Sequence, residues 1–172
     1  MSVSARAYLS LGLAIALTAM TSATATAADA PLPDGFATPG LKVLARVQAI
    51  GDQIYECKAE ASGAKTWQFR EPLATLLQDG KTVGRHFAGP QWLFDDGSFV
   101  KGKLAVKADG ATPQDIPWLK LDVVDQGGEG RLSGTTTVER VATQGGVLAG
   151  ACETIGALHL EPYRADYFFF GR

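Results

Sequence analysis

The chain has 172 residues and a formal net charge of −2, and these properties exclude several classes of protein. Its 16 Lys and Arg residues are interspersed with 18 Asp and Glu residues, so no basic patch is available to bind nucleic acid. It contains no asparagine and therefore no N-glycosylation site. The roughly 140 residues that follow the first 28 are enough for one domain with a hydrophobic core.

The first 28 residues have the pattern of a secretory signal peptide. Arg6 supplies a positive start, residues 9–20 form an apolar run, and residues 23–28 offer overlapping Ala-x-Ala cleavage sites. The run has about 12 residues, whereas a membrane-spanning helix needs about 20. We therefore predict that residues 1–28 are removed, that the mature chain has no transmembrane segment, and that the protein is periplasmic or secreted.

Residues 29–40 are rich in Pro, Ala and Gly and are predicted to form an extended leader. A single β domain is predicted over residues 41–172. Its first strand alternates in polarity and is followed by Gly51-Asp52, a pair that suits a two-residue hairpin loop. Residues 71–77 are the one segment predicted as a possible helical turn, because Pro72 stands near its start.

Turn signals rich in Gly, Pro and Asp recur along the rest of the chain. Their spacing predicts about nine or ten short strands, and hence an all-β fold, either a β-sandwich or a small β-barrel. Near the C-terminus, Tyr167 and Phe169 are predicted to face opposite to Phe168 and Phe170, because side chains alternate along a strand. One of these aromatic pairs is therefore available to line a ligand cavity or to cover a partner surface.

The chain contains two cysteines, Cys57 and Cys152. An even number of cysteines in an exported protein predicts a disulfide bond. The pair lacks the C-x-x-C spacing typical of redox-active thiols. We therefore interpret it as a structural disulfide.

Six short motifs occur along the chain in a fixed order. No single motif identifies a protein family, but their order does. They are Tyr55-Glu56-Cys57, the run from Gly84 to Trp92, Asp96-Gly97-Ser98, Pro117-Trp118-Leu119, the run from Arg140 to Gly146, and the run from Tyr163 to Phe169. Together they resemble a family of secreted bacterial and fungal proteins classified as a domain of unknown function, family 3455. The resemblance covers residues 43–170. It implies export and a compact domain, and it implies no activity.

The sequence predicts no metal site and no cofactor. Its only histidines are His86 and His159, whereas a catalytic zinc site usually takes three protein ligands. Residues 95–98 carry oxygen ligands that suit calcium, but the same residues make an ordinary hairpin turn, which is the interpretation we favour.

A catalytic alternative is a small secreted hydrolase that uses His86 with Asp96. Ser98 lies nearby and completes the residue types of a nucleophilic triad. The sequence has no G-x-S-x-G elbow around this serine. Strand alternation also allows the three side chains to face different ways.

The leading functional prediction is a non-catalytic exported domain that binds a small apolar or aromatic ligand, or an envelope protein. Arg140 shares strand parity with Leu132 and Val138, so it is predicted to face inward, where it must pair with a carboxylate or bind an anion. Binding is expected to depend on Trp92 and Trp118, with Arg140 and His86 orienting a polar group. A structural envelope protein without a ligand is a further alternative.

Overall fold

The computed structural model describes residues 32–172, which form a closed antiparallel β-barrel. The eight strands of this part of the chain are β1 (Lys42–Ala59), β2 (Lys65–Gln78), β3 (Lys81–Phe87), β4 (Gln91–Phe94), β5 (Phe99–Ala108), β6 (Trp118–Gly127), β7 (Thr135–Gly145) and β8 (Leu158–Gly171). Each strand pairs with the next one in sequence, and β8 closes the barrel against β1. The predicted all-β class is confirmed, as a barrel. The predicted signal peptide and residues 29–31 of the predicted leader lie outside the described residues.

The hairpin predicted at Gly51-Asp52 is wrong, because both residues lie inside the continuous strand β1. Gly51 pairs with Ala74 of β2 and with Tyr163 of β8. A Cβ atom at this position would collide with the carbonyl oxygen of Leu73. This glycine therefore allows close approach between two strands rather than a reversal of the chain.

The helical turn predicted over residues 71–77 is also wrong, since this segment belongs to β2. Its burial alternates along the strand, with Ala74 and Leu76 inside the barrel and Leu73 and Thr75 outside. Pro72 is tolerated because β3 pairs with β2 only from Ala74 onward, so the proline has a paired strand on one side only. Long strands such as β1 and β2 explain why eight strands are present instead of nine or ten.

The main hydrophobic core fills the inside of the barrel. Small residues on β1, namely Ala45, Val47 and Ala49, leave space for the large aromatic rings of β4 and of the neighbouring strand β8. The rings of Trp92 and Tyr167 pack edge to face, with centroids 5.3 Å apart. These contacts give the barrel a solid centre rather than a channel.

The lower end of the barrel, formed by loops 79–80, 95–98 and 128–134, is closed by side chains. Leu132 is fully buried in the main core. Above the loops, the guanidinium of Arg131 lies 4.7 Å from the ring centroid of Phe94. Packed side chains therefore close this end, and a surface cavity of about 360 Å³ lies beside it, lined by residues of β1, the end of β2 and the 79–80 loop.

A second apolar cluster lies on the outside of the barrel. Phe168 packs there with Trp118 and Val141, as the alternation of the last strand predicts. Phe36, from the segment before β1, is fully buried in the same cluster. The Lys120 ammonium fixes that segment by donating hydrogen bonds to the carbonyl oxygens of Gly35 and Ala37, at 3.1 and 2.6 Å.

The predicted Cys57–Cys152 disulfide is confirmed. It joins β1 to the loop of residues 146–157, which connects β7 to β8 at the upper end of the barrel. Tyr55 strengthens the same connection, because its hydroxyl donates a 2.8 Å hydrogen bond to the carbonyl oxygen of Gly146. The loop is therefore held against the barrel at two points.

Candidate ligand-binding site

The upper end of the barrel contains a cavity of about 440 Å³, which we call the mouth cavity. This volume lies within the usual range of small-molecule sites, roughly 300–1,000 Å³. Three buried polar side chains, Gln53, His86 and Arg140, face the mouth cavity. Its apolar walls come from β1, β2, the β5–β6 connection and β6, and they include Tyr55, Phe69, Pro72, Ile116, Pro117 and Leu119.

Arg140 is the cation at the centre of this group and is only 9% exposed. Its Nε and Nη2 atoms donate hydrogen bonds to the carbonyl oxygen of Pro117, at 3.1 and 2.8 Å. Within residues 32–172 no carboxylate lies within 4.0 Å of it. A carbonyl partner orients the guanidinium but leaves its charge uncompensated, and such a group attracts an anion.

Three further polar groups are buried around Arg140. The Nε2 atom of Gln53 and the hydroxyls of Tyr163 and Tyr167 are buried and make no hydrogen bond of normal geometry within the described part of the chain. Burial raises the pKa of both tyrosine hydroxyls, and the nearby Arg140 charge opposes this only in part, so both remain protonated. The two hydroxyls lie close to each other, and that of Tyr167 lies close to Arg140, so the upper part of the barrel interior holds a group of neutral polar side chains beside one cation.

His86 is a neutral hydrogen-bonding residue in this setting. Burial lowers the pKa of its imidazole from 6.5 to about 3; the Gln91 carbonyl opposes this shift and the Arg140 charge adds to it. The Nδ1 atom lies 2.9 Å from the Gln91 carbonyl oxygen. Since a carbonyl can only accept, Nδ1 carries the proton and Nε2 is left as an acceptor. The ring is held flat on Trp92, with centroids 4.5 Å apart and an interplanar angle of 9°.

The mouth cavity is positively charged in an acidic protein. Arg70, Lys107 and Arg140 line it, against the single carboxylate of Glu71. That carboxylate lies 3.1 Å from the Nε atom of Arg70 and is neutralised by it. The whole chain has a net charge of −2, so this positive potential is local to the cavity.

The structure does not bring His86 within hydrogen-bonding distance of Asp96 or Ser98. These two residues lie in the turn after β4, at the lower end, where the Ser98 hydroxyl donates a 2.6 Å hydrogen bond to Asp96. Arg131 donates to the same carboxylate from its backbone nitrogen at 3.0 Å. Desolvation alone would raise the pKa of Asp96, but the hydrogen bonds from Arg131 and Ser98 outweigh it and hold the pKa well below its usual range.

The four predicted ligand-binding residues occupy three different places. His86 and Arg140 line the mouth cavity, whereas Trp92 is buried behind His86. Trp118 faces the outside of the barrel, in the second apolar cluster. Trp92 therefore contributes to the mouth cavity only by stacking against His86. Trp118 belongs to a separate surface.

Sequence reasoning missed the residues that β1 and β2 contribute to the mouth cavity. Tyr55 and Phe69 are directly opposite each other in the β1–β2 ladder, and their ring centroids are 5.8 Å apart. Gln53 lies two residues before Tyr55 and faces the same side. Strand alternation from Val47 through Gln53 to Tyr55 is the signal that would have identified this inward face, had β1 been recognised as continuous.

Residues 32–172 lack both a metal-binding cluster and a membrane-spanning helix. They contain no group of three or more His, Cys, Asp or Glu side chains arranged to hold a metal ion. They also contain no helix of the length and apolar character needed to cross a membrane.

Comparison with known proteins gives one finding. No curated protein and no solved structure matches the chain significantly. A family model described as "Protein of unknown function (DUF3455)" matches residues 37–171, which include every strand of the barrel. The resemblance found in the sequence is thus confirmed, and the chain belongs to the DUF3455 family.

Proposed function

We propose that this protein is an exported, non-catalytic barrel that binds a small apolar or aromatic molecule bearing an anionic group. The observation that carries the proposal is the buried Arg140 guanidinium, which faces the mouth cavity without a carboxylate partner among the described residues. An anion bound there would supply the missing charge. The charge-assisted hydrogen bond would be strong because the site is largely shielded from water.

The remaining groups of the mouth cavity suit the same ligand. The Gln53 amide nitrogen offers a second donor to the anionic group, and the apolar body of the ligand would contact Phe69 and Ile116. The free Nε2 atom of His86 would accept from a hydroxyl or amide on the ligand. A histidine with a pKa of about 3 is a weak base, which favours binding over general-base catalysis.

Export is proposed on two grounds. Residues 1–28 have the three-part pattern of a cleavable signal peptide. The Cys57–Cys152 disulfide is consistent with an extracytoplasmic location, where such bonds persist. The protein would therefore meet its ligand in the periplasm or in the medium.

A pair of fluorescent probes tests the ligand class on protein purified after export into a bacterial periplasm. The probes are 1-anilinonaphthalene-8-sulfonate and N-phenyl-1-naphthylamine, which share an aromatic skeleton but differ in the anionic group. Wild-type protein should prefer the sulfonate. In Arg140→Gln its Kd should rise about 10- to 100-fold, because hydrogen bonds to charged groups contribute about 1.5–3 kcal/mol.

Binding of the neutral probe should change less than about twofold, since Arg140→Gln leaves the apolar walls intact. The matched control is Arg131→Gln, which removes the partly exposed arginine at the lower end and should leave both affinities unchanged. Circular dichroism checks that each variant is folded. A wild-type protein with no preference for the sulfonate, or an equal loss of both probes in Arg140→Gln, would refute the proposal.

A further inference from the structure

We infer that the outer wall of the barrel carries a second site, which binds an organic ammonium group at Glu139. This residue precedes Arg140 in β7, so the two side chains face opposite sides of the wall. Glu139 lines a pocket of about 300 Å³ on the outside, which we call the outer pocket. The inference concerns a different surface from the mouth cavity and does not depend on the proposed function.

Glu139 is a buried carboxyl group that has no partner among residues 32–172. The residue is 2% exposed, and its Oε1 atom has no hydrogen-bond donor within the described part of the chain. Desolvation raises the pKa of this carboxyl, and the Lys120 charge only partly opposes the shift. An isolated carboxylate in such a place is costly, and a bound cation is the direct means of compensating it.

The basic residues nearest to Glu139 are engaged elsewhere. Lys120 pairs with Glu139 across the β6–β7 ladder, but its ammonium is directed to the carbonyl oxygens of Gly35 and Ala37. Arg46 also lines the outer pocket, and its Nη2 atom lies 2.8 Å from the Asp166 carboxylate. Among residues 32–172, no basic side chain forms an ion pair with Glu139 within 4.0 Å.

The walls of the outer pocket define the kind of cation. Trp118, Phe168 and Phe170 line it, and the rings of Phe168 and Phe170 are stacked with centroids 6.2 Å apart. The guanidinium of Arg46 lies 5.0 Å from the centroid of Phe168, so Trp118 and Phe170 are the rings that remain for an added cation. Aromatic faces attract organic cations, whereas a calcium ion needs about six to eight oxygen ligands. The other carboxylate of the pocket, Asp166, is already paired with Arg46. One free carboxylate among aromatic rings therefore suits an alkyl or aryl ammonium.

The test compares benzylammonium with benzyl alcohol, which has a similar shape and no charge. Isothermal titration calorimetry gives the affinities, and the indole N–H resonance of Trp118 reports whether binding occurs in the outer pocket. Wild-type protein should bind benzylammonium at least about tenfold more tightly than the alcohol, a difference expected for one buried charge-assisted contact. Glu139→Gln should abolish this preference while leaving the alcohol affinity unchanged.

Two control variants separate this site from other effects. Glu129→Gln removes an exposed carboxylate in the β6–β7 loop and should keep the preference for benzylammonium. Arg140→Gln should also keep it while losing the sulfonate probe, so failure of one site is distinguishable from failure of the other. Equal binding of both probes by wild type, no shift of the Trp118 resonance, or unchanged binding in Glu139→Gln would overturn the inference.

The α-amino group of the mature chain is also an ammonium group. Because Leu32 lines the outer pocket, a third experiment tests whether this amino terminus pairs with Glu139. The reactivity of the α-amino group towards acetic anhydride is compared in wild type and in Glu139→Gln. Equal reactivity, together with benzylammonium binding, supports a site open to a free ligand. Protection in wild type alone would mean that the chain fills the pocket itself and would overturn the inference.

Discussion

At the scale of single residues, the chemistry of this protein depends on which side of the barrel wall each polar group faces. Arg140 faces inward and contributes a cation to the mouth cavity, while Glu139 faces outward and contributes an anion to the outer pocket. Each is largely buried and lacks an ion-pair partner in the part of the chain that the structure describes. Two adjacent residues are therefore the centres of the two proposed sites, which would take ligands of opposite charge.

His86 gives a prediction about the pH dependence of stability. Its pKa is 6.5 in the unfolded chain and about 3 in the folded protein, so between these values the unfolded state binds more protons. Stability should therefore fall as the pH falls through this window, by roughly 2 kcal/mol between pH 7 and pH 5. Urea unfolding at pH 5, 6 and 7 measures this loss.

The loss should be largely absent from His86→Gln, which has no group to titrate at this position. His159→Gln removes the other histidine, which is 42% exposed, and should keep the wild-type dependence. Should His86→Gln fail to fold, the imidazole resonances of wild-type protein provide the same information. Titration of the His86 ring near pH 6.5 would contradict the argument.

At the scale of single elements, the long strands explain why the predicted hairpin in β1 and the predicted helical turn in β2 are wrong. Gly51-Asp52 has the composition of a hairpin loop, yet β1 continues through it for 18 residues. Pairing with β2 and β8 on its two sides stabilises the extended conformation more than the local turn preference opposes it. The glycine remains necessary because the backbone of β2 approaches too closely for a side chain.

Gly51→Ala should therefore destabilise the protein by about 1–3 kcal/mol, the usual cost of overpacking a tightly packed interior. Urea unfolding of wild type and variant gives the difference. Gln48→Ala, at an exposed position in the same strand, serves as the control and should change stability by less than about 0.5 kcal/mol. A Gly51→Ala variant as stable as wild type would show that β1 and β2 are not in close contact there.

At the scale of the whole molecule, the barrel is closed below by Leu132 and holds the mouth cavity at its upper end. The loop of residues 146–157 borders that cavity through Val147. The disulfide that secures this loop joins residues 95 positions apart in sequence. The disulfide thus acts on both the stability of the fold and the position of the cavity rim.

Removal of the disulfide in a Cys57→Ala, Cys152→Ala double variant should lower the free energy of unfolding by about 4–5 kcal/mol in the chain-entropy model. Urea unfolding with and without dithiothreitol checks this value, and the reductant should have no further effect on the double variant. The affinity for the sulfonate probe should also fall, because the rim becomes mobile. A loss below about 1 kcal/mol would contradict the entropic argument.

The alternation of side chains predicted much of this molecule because it is a local property of the chain. It predicted the inward orientation of Arg140 and the separation of Tyr167 and Phe169 from Phe168 and Phe170, while the spacing of turn residues predicted the all-β fold. The cysteine count predicted the disulfide, and the order of the motifs predicted the family. None of these inferences needs the register between distant strands.

Barrel closure, the mouth cavity and the outer pocket depend on that register, and only the tertiary structure decided them. Pairing of β8 with β1 closes the sheet, and the resulting arrangement places His86 beside Arg140. The β3–β4 register, in which His86 pairs with Trp92, places it away from Asp96. It also buries Glu139 beyond the reach of the cations next to it. Alternation gives the face on which a residue lies, but contacts between strands distant in sequence determine which other residues it meets.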